Sequence, residues 1–396
     1  MDNKPLHGIR VIEVGQLLAG PFAGTLLAYF GADVIKVEPP GDGDPIRGWR
    51  LLDKDGTSFW WRSLGRNKKS LTLNLRTTEG REVLGELLAD ADVLIENFKP
   101  GTMEKWGLGP EHIKPHNPQL IYTRISGYGQ SGPYSSKPGY ASVTEAFSGF
   151  RYLNGYPEDV PVRPNLSLGD SVAGVHAALG ILLALLARKN SQQGQVIDVA
   201  LYEAMFNLME GVVPEYDGAG AVREPAGSTL TGIVPTNTYL CRDGKHVVIG
   251  GNGDSIYARL MTAIGREDLA TDPALGSNAG RVEQQELIDA AIGGWTSAHK
   301  SAAVIATLEA ADVPVGPIYS IADAFDDPHY QARGMFEEVN TPNGKLNIPA
   351  ILPKLSLTPG RTTWAGGAVG SHTDEVLLSA GFDKEALATL RENGDI

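Results

Sequence analysis

Residues 10–37 read RVIEVGQLLAGPFAGTLLAYFGADVIKV, which has the pattern of a strand, a helix and a second strand. The apolar run Arg10–Val14 predicts a short buried strand. Pro21 suits the first position of a helix that extends to about Phe30, and Val34–Val37 predicts the next strand. Such a unit is typical of an α/β fold with a parallel sheet.

The turn between the first strand and the helix carries Gly15, Gly20 and Gly24. Their spacing differs from the GxGxxG dinucleotide fingerprint, so NAD or FAD binding is not indicated. Backbone donors at a helix N-terminus suit a phosphate-bearing ligand. Close packing between strand and helix is the alternative explanation for these glycines.

Further apolar runs predict that the sheet continues. They are followed by polar residues at the strand ends, where ligands of parallel sheets usually bind. The predicted strands are Ser70–Leu75, Val93–Ile95, Leu120–Ile125 and Gln195–Val199. After these, Tyr239–Ile249 predicts a hairpin with an Asp-Gly turn, in a second unit of the chain.

Composition restricts the functional classes. The 396 residues carry a net charge of −13, which argues against nucleic acid or an anionic membrane as the main partner. The single cysteine, Cys241, excludes an internal disulfide and fits a reducing cytoplasm. The longest apolar run, Leu179–Ala187, is too short to span a bilayer, and no zinc-type His/Cys spacing occurs. A cytoplasmic protein without a bound metal is expected.

Asp170 precedes the apolar segment Val175–Ala187, which has the length and residue types of a buried helix. At a helix start, the backbone N–H groups and the helix dipole favour an ionised carboxylate, the form that acts as a nucleophile. The other interpretation is that Asp170 is only an N-cap, a role that Ser167 could share. His176, on the same helix, is expected to be a packed histidine.

Basic residues follow several predicted strands of this acidic chain. They could meet the phosphates of a ligand, or they could form a solvated surface. These residues are Lys68, Lys69, Arg76, Lys99 and Lys105.

Together these segments resemble the class III CoA-transferases, the family that includes formyl-CoA and carnitine CoA-transferases. The resemblance covers nearly the whole length. It rests on Pro5–Val11 with Ala19–Pro21, Gly31–Glu38, Asn67–Ser70, Glu96–Phe98 with Pro100–Gly101, Gly127–Gly129 with Gly132–Pro133, Gly169–Asp170, and Val313–Pro314 with Gly316–Pro317.

The resemblance implies that Asp170 is the nucleophile. In the family, this carboxylate attacks an acyl-CoA thioester to give a mixed anhydride, and the released CoA then forms an aspartyl-CoA thioester. The acceptor acid repeats these steps in reverse. Coenzyme A and acyl-CoA are then substrates, and no permanently bound cofactor or metal is implied.

The resemblance also assigns binding residues. A CoA site is expected from Leu17, Leu18, Gly20, Leu73, Arg76, Asn97, Phe98, Lys99, Lys105, Lys137 and Tyr140. The loop of Gly250, Gly251, Asn252 and Gly253 resembles the glycine loop that covers the active site. Arg47 and Arg163 are candidates to pair with a substrate's second carboxylate. Pro39 and Ala141 depart from the residues that many members have at these positions.

The fold implied is a large Rossmann-like domain of residues 1–212 and 330–396 and a smaller α/β domain of residues 233–313. Linkers of residues 213–232 and 314–329 join them, in a homodimer of interlocked chains. The implied reaction moves CoA from succinyl-CoA to a short dicarboxylic acid. A 2-methylacyl-CoA racemase, which would place a histidine base where Tyr140 stands, and a non-catalytic acyl-CoA-binding protein are the alternatives.

Overall fold

The computed structural model describes residues 4–396. The chain divides into two compact units. The first contains the described residues up to Phe150, with Pro164–Glu210 and His329–Ile396. The second contains Arg151–Arg163 and Gly211–Pro328.

The first unit is built on a six-stranded sheet whose neighbouring strands are all parallel. Its strands are β1 (Arg10–Glu13), β2 (Asp33–Glu38), β3 (Lys68–Thr72), β4 (Val93–Glu96), β5 (Ile121–Ser126) and β6 (Val196–Ala200). Their order across the sheet is β3-β2-β1-β4-β5-β6. This is a doubly wound order, and it confirms the predicted α/β fold with a parallel sheet.

The remaining elements are helices and short antiparallel strands. The helices up to residue 206 are α1 (Ala19–Tyr29), α2 (Phe59–Leu64), α3 (Thr78–Ala89), α4 (Thr102–Lys105), α5 (Pro110–Ile113), α6 (Ala141–Phe147), α7 (Phe150–Leu153), α8 (Leu168–Ser191) and α9 (Leu201–Phe206). Later helices are α10 (Val212–Ala219), α11 (Asp254–Ala263), α12 (Glu267–Ala270), α13 (Asn278–Glu283), α14 (Gln285–Ala298), α15 (Ser301–Ala310), α16 (Ile321–Asp326), α17 (Pro328–Ala332), α18 (Thr373–Ser379) and α19 (Lys384–Asn393). The later strands are β7 (Thr236–Leu240), β8 (His246–Gly250), β9 (Val315–Pro317), β10 (Phe336–Thr341) and β11 (Gly344–Pro349).

Both faces of the parallel sheet are covered by apolar side chains. Val11, Val34 and Val93 pack on one face with residues of α1 and α8. The next residues along two of these strands, Ile12 and Ile35, pack on the other face with residues of α3, α18 and α19. Successive strand residues point to opposite faces, so the continuous apolar runs in the sequence follow from burial on both sides.

The second unit has its own core around the antiparallel sheet β7-β8-β9. Strands β7 and β8 form the predicted hairpin, with Tyr239 opposite Val247. Val247 and Ile249 of β8 are completely buried and pack on helices α11 and α14. The segment predicted as a linker from residue 213 contains most of helix α10, because Gly218 and Pro214 do not prevent a short helix there.

Helix α8 is longer than the sequence predicted. It begins at Leu168, so Asp170 lies inside the first turn and Ser167 occupies the N-cap position. The N-cap interpretation of Asp170 is therefore wrong. The Ser167 side chain makes no capping hydrogen bond, and the Gly169 N–H donates instead to Glu145 Oε1 of α6 at 3.0 Å. A carboxylate from another helix thus replaces the local cap that the sequence suggested.

One face of α8 is buried and the other is apolar but exposed. Ala173, Ala177, Ile181 and Ala184 are at most 2% exposed and pack in the core with α1. By length and composition alone, this helix of 24 residues could cross a membrane. Its buried face identifies it as a core helix of the first unit. The sequence predicted a buried helix, and in the single chain only one face of it is buried, because a segment that is apolar all round does not reveal which face meets the core.

Helix α1 approaches β1 and β3 so closely that Gly24 has no room for a side chain. A Cβ at this position would lie 1.9 Å from Glu13 Oε2 and 3.5 Å from Lys68 Nζ. These two groups form a buried ion pair at 2.8 Å. Gly85 in α3 provides a contrast, because a Cβ there would meet only Leu108 Cδ2 at 3.9 Å.

A second buried charge lies where β4 ends. Glu96 is 1% exposed, and its Oε1 accepts a hydrogen bond from Arg124 Nε of β5 at 2.8 Å. Arg124 also pairs with Glu104 at 2.7 Å, so one guanidinium serves two carboxyl groups. Burial raises the pKa of Glu96 to about 7, and the opposing effect of Arg124 is smaller.

We expect Gly24→Ala to lower the free energy of unfolding by about 1–3 kcal/mol, because the added methyl group must displace a buried ion pair. Gly85→Ala is the matched control and should raise it by about 0.5–1 kcal/mol, since alanine is the better helix former. Chemical denaturation of both variants measures the difference. Equal stability of the two variants would contradict the packing of α1 described here.

We also expect Glu96 to make stability depend on pH. The unfolded chain releases this proton near pH 4.3, whereas the folded protein keeps it to about pH 7. The folded state therefore binds more protons between about pH 4.5 and 7, and the free energy of unfolding falls as the pH rises through that interval.

Glu96→Gln should flatten this part of the stability profile, by up to about 3 kcal/mol across the interval. Urea titrations at several pH values provide the measurement. Glu111→Gln, at an exposed acid of α5, is the control and should keep the wild-type slope. An unchanged slope in Glu96→Gln would show that this carboxyl is ionised at low pH as well.

Candidate active site

The strand order of the parallel sheet reverses between β1 and β4. Connections leave these two neighbouring strands in opposite directions, which opens a crevice at their carboxyl ends. Residues 15–18 follow β1, and residues 97–100 follow β4. The crevice is the place where a ligand is expected in this class of sheet.

Asn97 joins the two segments at the crevice. Its Oδ1 accepts a hydrogen bond from the Gln16 N–H at 2.7 Å, and its Nδ2 donates to the Gln16 carbonyl at 2.8 Å. A side-chain amide that bonds both backbone groups of one residue fixes the turn after β1 against the end of β4.

Asp170 lines a cavity of about 350 Å³ at this point, which we call the acyl cavity. The side chain of Asp170 is half-buried, in the first turn of α8, where the positive end of the helix dipole stabilises negative charge. The walls are apolar with a few polar groups. They consist of Gln16, Leu17, Leu18, Ala19, Asn97, Phe98, Lys99, Pro100, Ile125, Ser126, Gly127, Lys137, Pro138, Gly139, Tyr140, Asp170 and Leu201.

A larger cavity of about 630 Å³, which we call the outer cavity, lies along the ends of β1, β2 and β3. It shares Gln16 and Phe98 with the acyl cavity, so the two are adjacent. Its other lining residues are Val14, Val37, Glu38, Pro39, Pro40, Leu73, Asn74, Leu75, Arg76, Thr102, Trp106 and Gly394. An elongated ligand could therefore extend from one cavity into the other.

Most residues expected at the CoA site line these two cavities. The structure brings Leu17, Leu18, Asn97, Phe98, Lys99, Lys137 and Tyr140 to the acyl cavity together with Asp170. It places Leu73 and Arg76 at the outer cavity. The ammonium group of Lys137 lies 3.4 Å from the centre of the Tyr134 ring, a cation–π contact that orients it.

Three of the expected residues of the first unit lie elsewhere. Gly20 packs against Ile95 and Asn97, to which a Cβ would approach within 3.4 and 3.6 Å. Lys105 is exposed on α4 and lines a separate groove beside α3. Arg47 is buried, and its Nη2 lies 2.6 Å from Glu38 Oε1, so this guanidinium is committed to an internal ion pair.

The glycine loop and Arg163 belong to the second unit. Gly250 ends β8 and Gly253 is the N-cap of α11, so the loop is a short connection. The completely buried Arg281 holds it by donating to the Asn252 carbonyl at 2.6 Å. The role of this loop as a lid, and that of Arg163 toward a substrate, stay predictions.

The cluster of basic residues is smaller than the sequence suggested. Lys68 is buried against Glu13, and Lys69 pairs with Asp33 at 3.1 Å and with Glu375 at 3.1 Å. The expectation that both could meet phosphates was wrong, because they stand at the amino end of β3 and the cavities lie at the other end. The sequence already indicated this position, because both lysines precede the predicted strand Ser70–Leu75.

The sequence interpretation did not select Gln16, Ser126 or Gly127 as site residues. Gln16 directly follows Gly15 after β1 and lines both cavities. Ser126 ends β5, and its buried hydroxyl lies beside the acyl cavity. Only their position in the sequence could have identified them, because they come just after the carboxyl ends of predicted strands. Within residues 4–396, no group of three or more His, Cys, Asp or Glu side chains is arranged to hold a metal ion.

Comparison with known proteins agrees with this geometry. The sequence model of CoA-transferase family III matches residues 6–373. The succinyl-CoA–D-citramalate CoA-transferase of Chloroflexus aurantiacus is 44% identical over 390 residues, which cover 98% of this chain and 97% of that protein. A succinyl-CoA:mesaconate CoA-transferase of Haloarcula marismortui is 36% identical, over 96% of this chain and 97% of that one.

A solved structure gives the same answer for the fold. The CAIB/BAIF family protein of Brucella suis superposes with a TM-score of 0.85 at 33% sequence identity, covering 96% of this chain and 100% of that one. The sequence match, the doubly wound sheet and the acid at the start of α8 lead to one conclusion: this chain is a CoA-transferase that belongs to CoA-transferase family III.

Proposed function

We propose that this enzyme transfers CoA from succinyl-CoA to a short dicarboxylic acid, with Asp170 as the nucleophile. The observation that carries the proposal is the position of Asp170, half-buried in the first turn of α8 and in the wall of the acyl cavity. The carboxylate is held by a rigid helix and still borders a space that a substrate can enter.

The two adjacent cavities support binding of a long coenzyme. In this proposal, the nucleotide part of CoA occupies the outer cavity, where Arg76 supplies a cation for its phosphates. The pantetheine arm passes Gln16 and Phe98, which line both cavities, and brings the thioester to Asp170. Lys99 and Lys137 are the cations of the acyl cavity, within reach of anionic groups of the substrates.

The proposed reaction begins with attack by an Asp170 carboxylate oxygen on the thioester carbonyl carbon. The carbon–sulfur bond breaks and CoA thiolate leaves, so Asp170 and the succinyl group form a mixed anhydride. The thiolate then attacks the Asp170 carbonyl carbon, the bond to the succinyl oxygen breaks, and succinate departs. Asp170 now carries CoA as a thioester.

The acceptor completes the cycle through the same steps. Its carboxylate attacks the Asp170 thioester, releases CoA thiolate and forms a second mixed anhydride. The thiolate attacks the acceptor's carbonyl carbon, which gives the new acyl-CoA and restores the Asp170 carboxylate. No proton or electron is gained or lost overall, so these steps need no general base.

The named relatives support the substrate class. One is described as acting on citramalate and another on mesaconate, each with succinyl-CoA. Both acceptors are short dicarboxylic acids. A racemase would need a base that removes a proton from carbon. Among the described residues that line the acyl cavity there is no histidine, and this composition favours carboxylate exchange over proton transfer.

The exposed face of α8 supports assembly into a homodimer. Val175, Leu179, Leu182, Leu183 and Leu186 lie on this face and are 44–62% exposed. A row of large apolar side chains three or four residues apart is characteristic of a helix that packs on a partner. We propose a second copy of this chain as that partner, in a cytoplasmic enzyme.

We expect Asp170→Ala and Asp170→Asn to lower the transfer rate by at least about a thousandfold, because no other carboxylate lines the acyl cavity among the described residues. Intact-protein mass spectrometry after incubation with succinyl-CoA should find CoA joined to the wild-type chain with loss of one water, and fragment spectra should place it on Asp170. Asp90→Asn, at an exposed acid that ends α3, is the control. An active Asp170→Ala enzyme would reject the proposed nucleophile.

We expect Leu183→Glu combined with Leu186→Glu to prevent two chains from assembling as they fold, so that the monomer is recovered, because burying two carboxylates at an apolar interface is costly. Light scattering after size-exclusion chromatography measures the mass in solution. Leu357→Glu, at a leucine that is 86% exposed elsewhere in the first unit, is the control and should leave the mass unchanged. A monomeric wild-type protein, or a dimer that survives both changes, would contradict this interface.

A further inference from the structure

Four charged side chains form a buried cluster beneath the turn that follows β1, and we call it the buried charge group. It consists of Glu13, Lys36, Asp44 and Lys68, each at most 2% exposed. Lys36 Nζ lies 2.8 Å from Asp44 Oδ2 and 3.4 Å from Glu13 Oε1, and Lys68 Nζ lies 2.8 Å from Glu13 Oε2. The charges of the two cations and the two carboxylates cancel, and the reaction proposed above uses none of these four groups.

The turn above this group takes its shape from side chains of other segments. The Leu17 N–H donates to both carboxylate oxygens of Asp44 at 3.1 Å, and the Gly15 carbonyl accepts from Lys36 Nζ. Asn97 binds both backbone groups of Gln16. The backbone from Gly15 to the Leu17 N–H is therefore held by Lys36, Asp44 and Asn97.

Leu17 needs this support because its backbone is strained. Its φ is +64°, in the left-handed region that costs a residue other than glycine about 1–2 kcal/mol. Leu17 is also part of the acyl cavity's wall, beside Leu18. Without Asp44, the turn can relax toward an ordinary conformation, and the wall that faces Asp170 then moves.

A short segment of the chain connects the wall of the outer cavity to Asp44. Glu38, Pro39 and Pro40 line that cavity, and Asp44 follows four residues after Pro40. The Asp44 N–H donates to Glu38 Oε2 at 2.9 Å, which closes the segment into a tight loop. The loop has no room for a side chain at Gly43, because a Cβ there would lie 2.8 Å from Glu38 Oε2 and φ is +70°.

We propose that Asp44 is a positioning residue that links the two cavities. The ligand in the outer cavity contacts the loop that begins at Glu38, and Asp44 connects this tight loop to Leu17 in the wall of the acyl cavity. This inference rests on the proposed function, because it requires the nucleotide part of CoA to occupy the outer cavity while the thioester is at Asp170.

The consequence is that contacts with the nucleotide contribute to the rate at Asp170. Binding energy from a remote part of a substrate accelerates a reaction only when it is used to arrange the reacting groups. A succinyl thioester without the nucleotide, such as succinyl-pantetheine, leaves the outer cavity empty, so the loop lacks the ligand's contacts with Pro39 and Pro40. It should therefore react more slowly even when it saturates the enzyme.

The experiment compares kcat for succinyl-CoA with kcat for succinyl-pantetheine, both with the same acceptor. We expect a high ratio of the two rates in the wild type. In Asp44→Asn the ratio should fall by about tenfold or more, because the bond to Leu17 loses its charge and Lys36 keeps only the more distant carboxylate of Glu13. General damage to the fold lowers both rates equally and leaves the ratio as it was.

The matched control is Glu337→Gln, which alters another partly buried acid of the first unit. Glu337 accepts a hydrogen bond from the Tyr29 hydroxyl at 2.8 Å and lines neither cavity. In Glu337→Gln the ratio of the two kcat values should stay within about twofold of the wild-type ratio. An Asp44→Asn enzyme that folds and keeps the wild-type ratio would overturn the proposal.

A second variant decides the matter if Asp44→Asn does not fold. Two glycines inserted between Gly41 and Asp42, both exposed, lengthen the loop without touching the buried charge group. The ratio should again fall, and an unchanged ratio would overturn the proposal. A wild-type protein that reacts with neither thioester would instead contradict the proposed function, so the two failures can be told apart.

Discussion

The contact between Lys36 and Asp44 is the interaction on which the active-site region depends. Burying ions is costly, and an ion pair in a protein interior repays that cost only when its geometry is good and the remaining polar atoms are bonded. Here Asp44 also accepts hydrogen bonds from the backbone of Leu17 and Ile46. Apolar side chains could fill this space, but they could not hold the backbone of the turn. The charges are therefore best understood as a means to fix one conformation.

The doubly wound sheet explains why the cavities and Asp170 meet. Reversal of the strand order between β1 and β4 opens the crevice, and the segments after these strands build its walls. Helix α8 contributes its first turn to the same place while its buried face packs against the sheet. The proposed nucleophile, Asp170, is thus carried by an element of the core, whereas most of the residues proposed to contact the coenzyme lie on loops, a common division in enzymes of this fold class.

The sequence predicted those features that depend on local pattern. Apolar runs located the strands, and the acid before an apolar segment located the start of α8. Prediction from the sequence failed where a side chain distant in the chain determines the local structure. Glu145 caps α8 in place of Ser167 by binding the Gly169 N–H, and no local rule connects two residues that are 24 positions apart. Lys68 and Lys69 looked like phosphate ligands, yet the direction of β3 places them away from the cavities. Gln16 was overlooked because its importance comes from tertiary position.

The proposed carboxylate exchange suits such a site because the overall reaction replaces one thioester by another of similar free energy. The mixed anhydrides between them are reactive intermediates, so the enzyme must mainly align the reactants and exclude water. The walls agree with this requirement, since Leu17, Leu18, Ile125 and Leu201 surround an acid that needs no histidine beside it. Alignment within a fraction of an ångström then depends on the rigidity of the turn after β1. The four side chains of the buried charge group lie beneath that turn, so they fix the backbone at the place where the proposed reaction is most sensitive to geometry.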